Sequence, residues 1–333
     1  ADPPPSEHAM SSIILQASRR PHLAPPTVDA GGWSPVSPHD MRHTDDDAVL
    51  VAGRLTQSLP PAVYAALADF AERPHPAGAL LVRNVGVGHI PATPPTPTSP
   101  TGKDSTSEFA LLTIARMMGH PVGYLPEHGG EIVQNLVPVA STADRQVSTS
   151  STSDLMFHTE AAFHPHRPRY LLLACLRGDT AAVTTLASVR EVLPLLPEAV
   201  AEVLFEARYR TAVDESYLHG RSNRLGDPVP VLSGTFDEPS MVFDEDLMVG
   251  LDPAAADALR LLGSAVREHH TGVVLEAGDV LVVDNALAVH GRSPFVARYD
   301  GTDRWLQRSL VVSDLAASAG DRIGRVITTV FGD

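Results

Sequence analysis

The segment FHTEAAFH, at positions 157–164, brings two histidines and a glutamate close together along the chain. If the segment is extended, His158 and Glu160 point to the same face of a strand, because side chains two residues apart do so. There they could bind one metal ion. The same spacing also arises by chance on polar surface strands, so the pair alone leaves both interpretations open.

A third candidate ligand stands far along the chain, at the end of the segment GDVLVVDNALAVHG. The apolar run predicts a buried strand, and His290 would lie at its far end. Two imidazoles and one carboxylate form a facial triad, which leaves positions open on the metal and favours non-haem Fe(II) chemistry with O₂. A closed zinc site would need a fourth protein ligand. We interpret His164 and His166 as solvated loop residues that do not bind the metal.

Two arginines follow the distal histidine in the segment RYDGTDRWLQRSLVV. Arg304 and Arg308 are spaced to share one face of a predicted strand, with Trp305 and Gln307 on the other. If the shared face lies inside the protein, both guanidinium groups need anionic partners, since an unpaired buried charge is very unfavourable. Together with the triad, they indicate two carboxylate-bearing small molecules.

The alternative interpretation of this segment is a pair of surface ion pairs with neighbouring aspartates, which are common and weak. The candidate partners are Asp300, Asp303 and Asp314.

An acidic segment, FDEDLMVG, provides the candidate for substrate selection. Asp244 and Asp246 would converge if the chain is extended, and two carboxylates suit a cationic group such as a guanidinium. Asp214 could add a third carboxylate. Alternatively, the segment is a solvated acidic turn.

The elements that must position these residues follow from the periodicity of apolar residues and from proline and glycine. Helices are predicted at 60–74, 107–120, 187–208 (broken near Pro197) and 252–270, and strands at 78–85, 131–139, 169–178, 207–213, 273–291 and 304–313. This order predicts a mainly β fold with helices, a barrel or sandwich buttressed by helices. Residues 1–40 are interpreted as a poorly ordered arm, residues 41–333 as one domain, and residues 215–234 as a lid-like insertion.

Composition restricts the class of protein. The chain has 333 residues, a formal net charge of −15 and one cysteine. The acidic balance argues against a nucleic-acid partner, because phosphates require a basic surface. One cysteine excludes a disulfide framework, and no apolar run is long enough to span a membrane. We therefore expect a cytoplasmic protein, and the composition says little about a small substrate. The sequence does not predict the oligomeric state.

Four segments together resemble one known family: FHTEAAFH, YLLLACLRGD, GDVLVVDNALAVHGR and RYDGTDRWLQR. The region 105–315 resembles the clavaminate synthase-like Fe(II)/2-oxoglutarate-dependent oxygenases, and among them the free amino-acid hydroxylases of the L-arginine β-hydroxylase type. The resemblance implies a double-stranded β-helix (jelly-roll, cupin-like) core, with iron held by His158, Glu160 and His290. Because Glu160 is intact, halogenation is not expected.

The resemblance also implies binding residues for the co-substrate and the substrate. For 2-oxoglutarate they are Arg304 and Thr185, with Thr184 as a rival for the second position. For the amino acid they are Gln134, Ser148 and Arg308 at its head, and Asp244 and Asp246 at a guanidinium.

The expected reaction is hydroxylation of L-arginine or a close derivative at C3, with Fe(II), 2-oxoglutarate and O₂, in an antibiotic pathway. Lysine, ornithine or, less favourably, citrulline remain as alternative substrates, as do attack at another carbon and desaturation. Two alternatives belong to other classes: a zinc hydrolase and a non-catalytic small-molecule sensor.

Overall fold

Residues 22–36, 46–98 and 102–332 are described by the structure, which is a computed structural model. Within them the α-helices are α1 (Asp46–Leu55), α2 (Pro61–Glu72), α3 (Thr106–Met118), α4 (Val189–Val192), α5 (Glu198–Leu204), α6 (Glu215–Leu218) and α7 (Pro253–Glu268). The strands are β1 (Thr27–Asp29), β2 (Ala79–Arg83), β3 (His120–Tyr124), β4 (Gln134–Leu136), β5 (Leu155–His158), β6 (Tyr170–Arg177), β7 (Thr184–Ser188), β8 (Tyr209–Thr211), β9 (Leu232–Gly234), β10 (Pro239–Met241), β11 (Met248–Gly250), β12 (Thr271–Val273), β13 (Val280–Asp284), β14 (Ala288–Arg292), β15 (Trp305–Val312), β16 (Arg322–Ile323) and β17 (Val326–Ile327). Short 3-10 helices lie at Thr56–Ser58, His128–Gly130, Ala140–Thr142, Leu193–Leu195 and Ala316–Ser318.

The larger sheet has the strand order β1-β2-β13-β6-β15-β3-β17-β16, and β4 also pairs with β15. Its central strands β13, β6 and β15 are antiparallel. All eight residues of β15 are buried, including both faces of the strand. The segment that carries the candidate arginines therefore runs through the interior of the molecule.

The smaller sheet has the order β12-β7-β14-β5 and carries the candidate metal ligands. An apolar layer separates it from the larger sheet, with Leu173, Leu281 and Leu306 on one side and Leu186 and Ala288 on the other. Two facing sheets, both mainly antiparallel, form the predicted double-stranded β-helix with this connectivity.

Helices cover the outer faces of both sheets. Helices α2 and α3 pack on the larger sheet, and α1 packs on α3, which contributes Phe109, Leu112 and Ile114 to the core. Helices α5 and α7 pack outside the smaller sheet around Leu204 and Leu262. Such covering explains why strands buried on both faces are almost continuously apolar.

Several predicted elements are confirmed, with shorter limits. The helix predicted at 60–74 is α2, which begins at Pro61, since proline is favoured in a first helical turn. The strands predicted at 131–139 and 207–213 shrink to β4 and β8, and the predicted break near Pro197 separates α4 from α5.

Part of the predicted N-terminal arm is regular structure. Thr27–Asp29 form β1, which pairs in parallel with β2, so the prediction of poor order is wrong for residues 22–36. The rest of the predicted arm, residues 1–21 and 37–40, lies outside the described residues. The sequence does not signal β1 because its residues are half-buried or exposed and become ordered only by pairing with β2.

The predicted lid begins with the short helix α6 and ends in β9. Between them, residues 219–228 are exposed. Helix α6 starts at an Asp214 cap, whose carboxylate accepts hydrogen bonds from the Ser216 backbone N–H and hydroxyl. Of the helices among the described residues, none has the length and apolar character to cross a membrane.

Candidate metal centre and substrate cavity

Pairing of β5 with β14 brings the two candidate ligand histidines together. His158 lies opposite His290 in the antiparallel register, and their ring centroids are 4.3 Å apart. The Nδ1 atom of His158 is 2.8 Å from the Met156 carbonyl oxygen, so that nitrogen carries the proton and Nε2 is left for a metal. Burial and His158 lower the pKa of His290 to about 4, which keeps its imidazole neutral.

Glu160 completes the group from a turn and not from the strand, which ends at His158. Ala161 has a φ of 51°, and this left-handed conformation bends the chain directly after the glutamate. Potential ligand atoms of His158, Glu160 and His290 all lie within 4.8 Å of one another. The predicted convergence is therefore present, and this donor set fits Fe(II).

Asn285, in the turn between β13 and β14, fixes the backbone of Glu160. Its Oδ1 accepts from the Glu160 N–H at 2.8 Å, and its Nδ2 donates to the Glu160 and Pro168 carbonyl oxygens at 3.1 and 2.9 Å. The turn between β13 and β14 thus positions both Glu160 and, through β14, His290.

We expect Asn285→Ala to weaken metal binding by about tenfold to a hundredfold, because groups that orient ligands contribute on this scale. The free energy of unfolding of the metal-free protein should fall by about 2–4 kcal/mol, since buried backbone groups lose their partners. Titration with Fe(II) under anaerobic conditions and urea unfolding would measure the two effects. A metal affinity equal to that of the unmodified protein would contradict this role of Asn285.

The metal group opens into a cavity of about 430 Å³. Its walls come from β5, β14, β15, helix α6 and the loops around residues 127, 148 and 246. The cavity-lining residues named in the sequence analysis are His158, Glu160, His290, Arg304, Arg308, Ser148, Thr184, Asp214, Asp244 and Asp246. Most of the predicted site is thus brought together from distant segments of the chain.

Arg304 is buried, with 8% of its surface exposed, and faces the cavity. Within the described part of the chain its guanidinium has no ion-pair or hydrogen-bond partner, and burial lowers its pKa to about 10. Asp303 does not pair with it, because that carboxylate accepts the backbone N–H groups of Arg298 and Tyr299. The surface ion-pair interpretation is therefore wrong for Arg304, which can receive an anionic ligand.

Arg308 is also buried, but two carboxylates surround it. Its guanidinium donates to both Glu160 oxygens at 3.2 and 3.1 Å and to Glu127 at 2.5 Å. Burial by itself raises the pKa of Glu160, yet Arg308 and the two histidines outweigh it, so that pKa lies well below its usual range. The surface ion-pair interpretation is wrong for Arg308 as well.

Gln134 lies beside Arg308 and does not line the cavity. Its Oε1 accepts from Arg308 Nε at 2.8 Å and Nη2 at 2.6 Å. The register of β4 on β15 places the two residues opposite each other. Gln134 thus orients Arg308, whereas the sequence predicted a contact with the amino-acid head.

Strand phase separates the two candidate threonines. Thr184 lines the cavity and its buried hydroxyl has no partner, whereas Thr185 packs beside Gly291 away from the cavity. Successive side chains of β7 point to opposite faces, so only one of them can face the ligand. The rival Thr184, and not Thr185, has the placement expected for the co-substrate.

Asp244 and Asp246 of FDEDLMVG face the cavity in different ways. Asp244 is buried beside His158, and its Oδ1 accepts from the backbone N–H groups of Asp246 and Leu247 at 3.0 and 2.8 Å. Asp246 is exposed at the cavity mouth, near Asp214 and Glu215 of the lid. The solvated-turn interpretation fits only Asp246, because burial raises the pKa of Asp244.

Sequence reasoning missed Glu127, His128, Arg292 and Tyr217, which also line the cavity. Arg292 lies two residues after His290 and donates to the Ser150 carbonyl and hydroxyl oxygens and to the Ser153 carbonyl oxygen. A signal for Glu127 was present, since the two glycines in EHGG permit the left-handed backbone found at Gly129 and Gly130.

His164 was expected to be solvated, and this prediction is wrong. It is 1% exposed, its Nδ1 accepts from the His166 N–H at 2.9 Å, and its ring packs 4.9 Å from that of Tyr124. His166 is partly buried and lies 2.7 Å from Asp321. Neither histidine belongs to the metal group that the described residues form.

A sheet fold that places two histidines and a glutamate at the mouth of a cavity, with buried arginines behind them, defines the class of iron-dependent dioxygenases. Residues 77–310 match the model of the Taurine catabolism dioxygenase TauD, TfdA family. The chain belongs to that family. Membership in a dioxygenase family removes the zinc hydrolase and the non-catalytic sensor from consideration.

Two curated relatives place the chain among amino-acid oxygenases. It is 39% identical over 283 residues to an L-lysine 3-hydroxylase of Catenulispora acidiphila, covering 82% of this chain and 78% of the relative. It is 34% identical over 301 residues to clavaminate synthase 2 of Streptomyces clavuligerus, covering 87% and 90%. The resemblance to clavaminate synthase-like enzymes is confirmed.

Two solved structures share the fold over nearly the whole chain. One is asparagine oxygenase in complex with Fe(II), (2S,3S)-3-hydroxyasparagine and succinate, with a TM-score of 0.82, 32% identity and coverage of 98% of both chains. The other is the non-haem iron oxygenase OrfP in complex with Fe and α-ketoglutaric acid, with a TM-score of 0.78, 31% identity and coverage of 96% and 97%. The double-stranded β-helix is confirmed by both.

Proposed function

We propose that this protein is an Fe(II)- and 2-oxoglutarate-dependent hydroxylase of a free basic amino acid, with L-arginine or a close arginine derivative as substrate and C3 as the carbon attacked. The observation that carries the proposal is the charge distribution of the cavity. Arg308 and Glu127 are paired at one wall, and carboxylates gather at another. A zwitterionic head with a cationic side chain is complementary to both walls.

The head of the amino acid fits Arg308 and Glu127. All three guanidinium nitrogens of Arg308 donate to Gln134, Glu127 or Glu160 in this structure, so an α-carboxylate would bind Arg308 in exchange for one of these contacts. Glu127, which is buried and lines the cavity, can accept from an α-ammonium group. Ser148 lines the same cavity and supplies a further hydroxyl. The two charges of a free amino acid would thus each have a partner.

The side chain of the substrate fits the acidic wall. The Asp244 carboxylate is held in a fixed orientation, because its Oδ1 accepts two backbone N–H groups. Asp246, Asp214 and Glu215 add negative charge around the mouth. A guanidinium, with its planar array of donors, can bond to two carboxylates at once.

The co-substrate fits the end of the cavity at Arg304. A dicarboxylate is the expected partner of an unpaired buried guanidinium, and the free Thr184 hydroxyl can donate to the same carboxylate. His158, Glu160 and His290 would hold the iron. With O₂ and 2-oxoglutarate, the iron would supply the oxidant that replaces a C–H bond by C–OH, giving succinate and CO₂.

The protein itself determines position and access. Glu127, Arg308 and the acidic wall hold both ends of the substrate, and the carbon that reacts is the one held nearest to the metal group. Helix α6 covers the cavity and excludes water. Since a free amino acid and a reduced buried Cys175 both suit the cell interior, we place the enzyme in the cytoplasm, in a specialised-metabolite pathway.

Lysine is the second candidate substrate. The relative with 39% identity is an L-lysine 3-hydroxylase, and an ammonium group also suits the acidic wall. A compact ammonium needs less space than a guanidinium and cannot bond bidentately to a carboxylate. The preference between the two cations therefore depends on the depth of the cavity between Arg308 and Asp244.

The proposal is tested by anaerobic loading with Fe(II) and 2-oxoglutarate, followed by exposure to O₂ with a panel of free amino acids. We expect succinate and a product heavier by one oxygen atom with arginine, and less with lysine. If only lysine were converted, lysine would replace arginine as the proposed substrate, and the proposed hydroxylation would stand. Succinate that forms only with neutral amino acids would contradict the proposed role of the acidic wall.

We expect Asp244→Asn to lower kcat/KM for the basic amino acid by about tenfold to a hundredfold, which is the scale of a lost charge-assisted hydrogen bond. Asparagine keeps the Oδ1 that accepts from Asp246 and Leu247, so the turn should persist. The matched control is Asp237→Asn, an exposed residue that does not line the cavity. Equal values for both variants would exclude a contact between Asp244 and the substrate.

A further inference from the structure

We propose that Tyr217 is a positioning residue that couples closure of the lid to the orientation of Glu127, and through it to the amino-acid head. This inference rests on the proposed function, since Glu127 is assigned there to the α-ammonium group. Tyr217 lies in the short helix α6, is 3% exposed and lines the cavity.

The hydroxyl of Tyr217 completes the coordination of a buried carboxylate. It donates to Glu127 Oε2 at 3.1 Å, while the other Glu127 oxygen accepts from Arg308. One oxygen is therefore held by the lid and the other by the larger sheet. Rotation of the carboxylate would break one of the two bonds, so its orientation is fixed when the lid is closed.

The charge state of the phenol supports a donor role. Burial raises the pKa of Glu127, and the ion pair with Arg308 opposes this effect and favours the carboxylate that accepts. Burial raises the pKa of Tyr217 well above its usual value, and the neighbouring Glu127 raises it further, so the phenol remains protonated. A protonated phenol buried against a carboxylate can only donate. If the lid opens, Glu127 loses this donor and gains freedom to turn.

The Tyr217 ring is held independently of its hydroxyl. It packs against Phe163 with a centroid distance of 4.9 Å, and against Tyr124, His164 and Phe331 at 6.1 to 6.2 Å. These four rings come from β3, from the segment after Glu160 and from the C-terminal segment. We name them, with Tyr217, the aromatic cluster.

The aromatic cluster explains how a helix of one turn can be held over the cavity. Edge-to-face ring pairs contribute beyond their buried area, and several of them act on Tyr217 together. Phenylalanine at position 217 would keep this packing and remove only the hydroxyl. A substitution of Tyr217 by phenylalanine therefore tests the hydrogen bond without changing the ring packing.

The expected consequence concerns the coupling between consumption of 2-oxoglutarate and hydroxylation of the amino acid. Without the Tyr217 hydroxyl the amino-acid head is less well fixed, while Arg304 and the 2-oxoglutarate end are untouched. Substrate should bind more weakly and 2-oxoglutarate should be consumed more often without hydroxylation. If the Tyr217 hydroxyl only supported the fold, hydroxylation and 2-oxoglutarate consumption would fall by the same factor. The amount of product per succinate would then stay constant.

The experiment compares Tyr217→Phe with Tyr124→Phe. Tyr124 belongs to the same cluster, but its hydroxyl donates to the His166 carbonyl oxygen and does not contact Glu127. Each variant thus loses one buried hydroxyl group from the aromatic cluster. For each, we would measure L-arginine binding by calorimetry in the anaerobic protein loaded with Fe(II) and 2-oxoglutarate, and then product formed per succinate.

For Tyr217→Phe we expect the Kd for arginine to rise about tenfold or more, the KM for 2-oxoglutarate to stay within about twofold, and product per succinate to fall clearly below that of the unmodified protein. Tyr124→Phe should keep the unmodified ratio. An unchanged Kd and ratio in Tyr217→Phe, or equal changes in both variants, would overturn the proposal.

Hydrogen exchange separates failure of this inference from failure of the proposed function. Exchange of the backbone amides at 215–222 should be faster in Tyr217→Phe than in Tyr124→Phe in the absence of any ligand. If the unmodified protein bound no basic amino acid, the proposed function would fail, and exchange would still test the contact between the lid and Glu127. Equal exchange in the two variants would refute the contact.

Discussion

Replacing Arg304 by leucine is expected to raise the KM for 2-oxoglutarate by at least about thirtyfold, because loss of one partner of a buried charge pair costs about 2–5 kcal/mol. The guanidinium faces the cavity without a protein partner among the described residues, so no other contact of the chain should be lost. The metal-free and ligand-free variant should also be more stable, by about 1 kcal/mol or more, since an uncompensated buried charge is removed.

Steady-state kinetics with varied 2-oxoglutarate and urea unfolding without ligand measure these two effects. Arg298→Leu is the matched control, since Arg298 is exposed and has only a long ion pair of 4.0 Å with Asp300. The control should change neither quantity. A destabilised Arg304→Leu protein would indicate that Arg304 supports the fold, and its assignment to the co-substrate would then lose its basis.

Replacing Arg308 by leucine is expected to have the opposite effect on stability. Glu127 and Glu160 would both remain buried without their cationic partner, which costs about 3–5 kcal/mol for a broken buried pair. Binding of the amino acid should be lost as well, because its α-carboxylate would have no partner. Unfolding in urea and calorimetry with L-arginine measure the two losses.

A double variant distinguishes loss of the ion pair between Arg308 and Glu127 from a general loss of packing. In the double variant Arg308→Leu/Glu127→Gln, the second substitution removes one of the two stranded charges, and part of the stability should return. Amino-acid binding should not return. If Arg308→Leu were as stable as the unmodified protein, the two carboxylates would have to be neutralised in another way, and the assigned charges would be wrong.

Cavity-lining residues could be predicted from the sequence where they lie in or next to a strand that the residue pattern indicates. His158, His290, Arg304 and Arg308 all line the cavity. His290, Arg304 and Arg308 lie in or directly beside buried strands whose apolar pattern is visible in the sequence, whereas His158 ends the partly exposed strand β5. A shift of one residue along β7 changes which side chain faces inward, and this explains why Thr184 and not Thr185 lines the cavity. The sequence does not reveal on which residue β7 begins.

Contacts between remote loops could not be derived in the same way. Glu127 meets Arg308 and Tyr217 only after β3, β15 and the lid have been brought together. Gln134 was connected with the correct region, but its contact with Arg308 was not predicted, since its register on β15 depends on a strand of three residues. Such short strands have too few residues to show a period.

The pairing of Thr27–Asp29 with β2 has a consequence for solubility. Strand β2 carries the apolar segment ALLVR, and among the described residues its backbone groups on one side bond to β1 and to the flanking Pro26 and Ala30. A protein shortened to begin after residue 36 would expose an apolar edge strand, which is a template for pairing with other chains. Among the described residues the outermost strand at this edge is β1, which is short and has polar residues at two of its three positions. We therefore expect residues 22–36 to limit aggregation through this edge, at a position remote from the metal group.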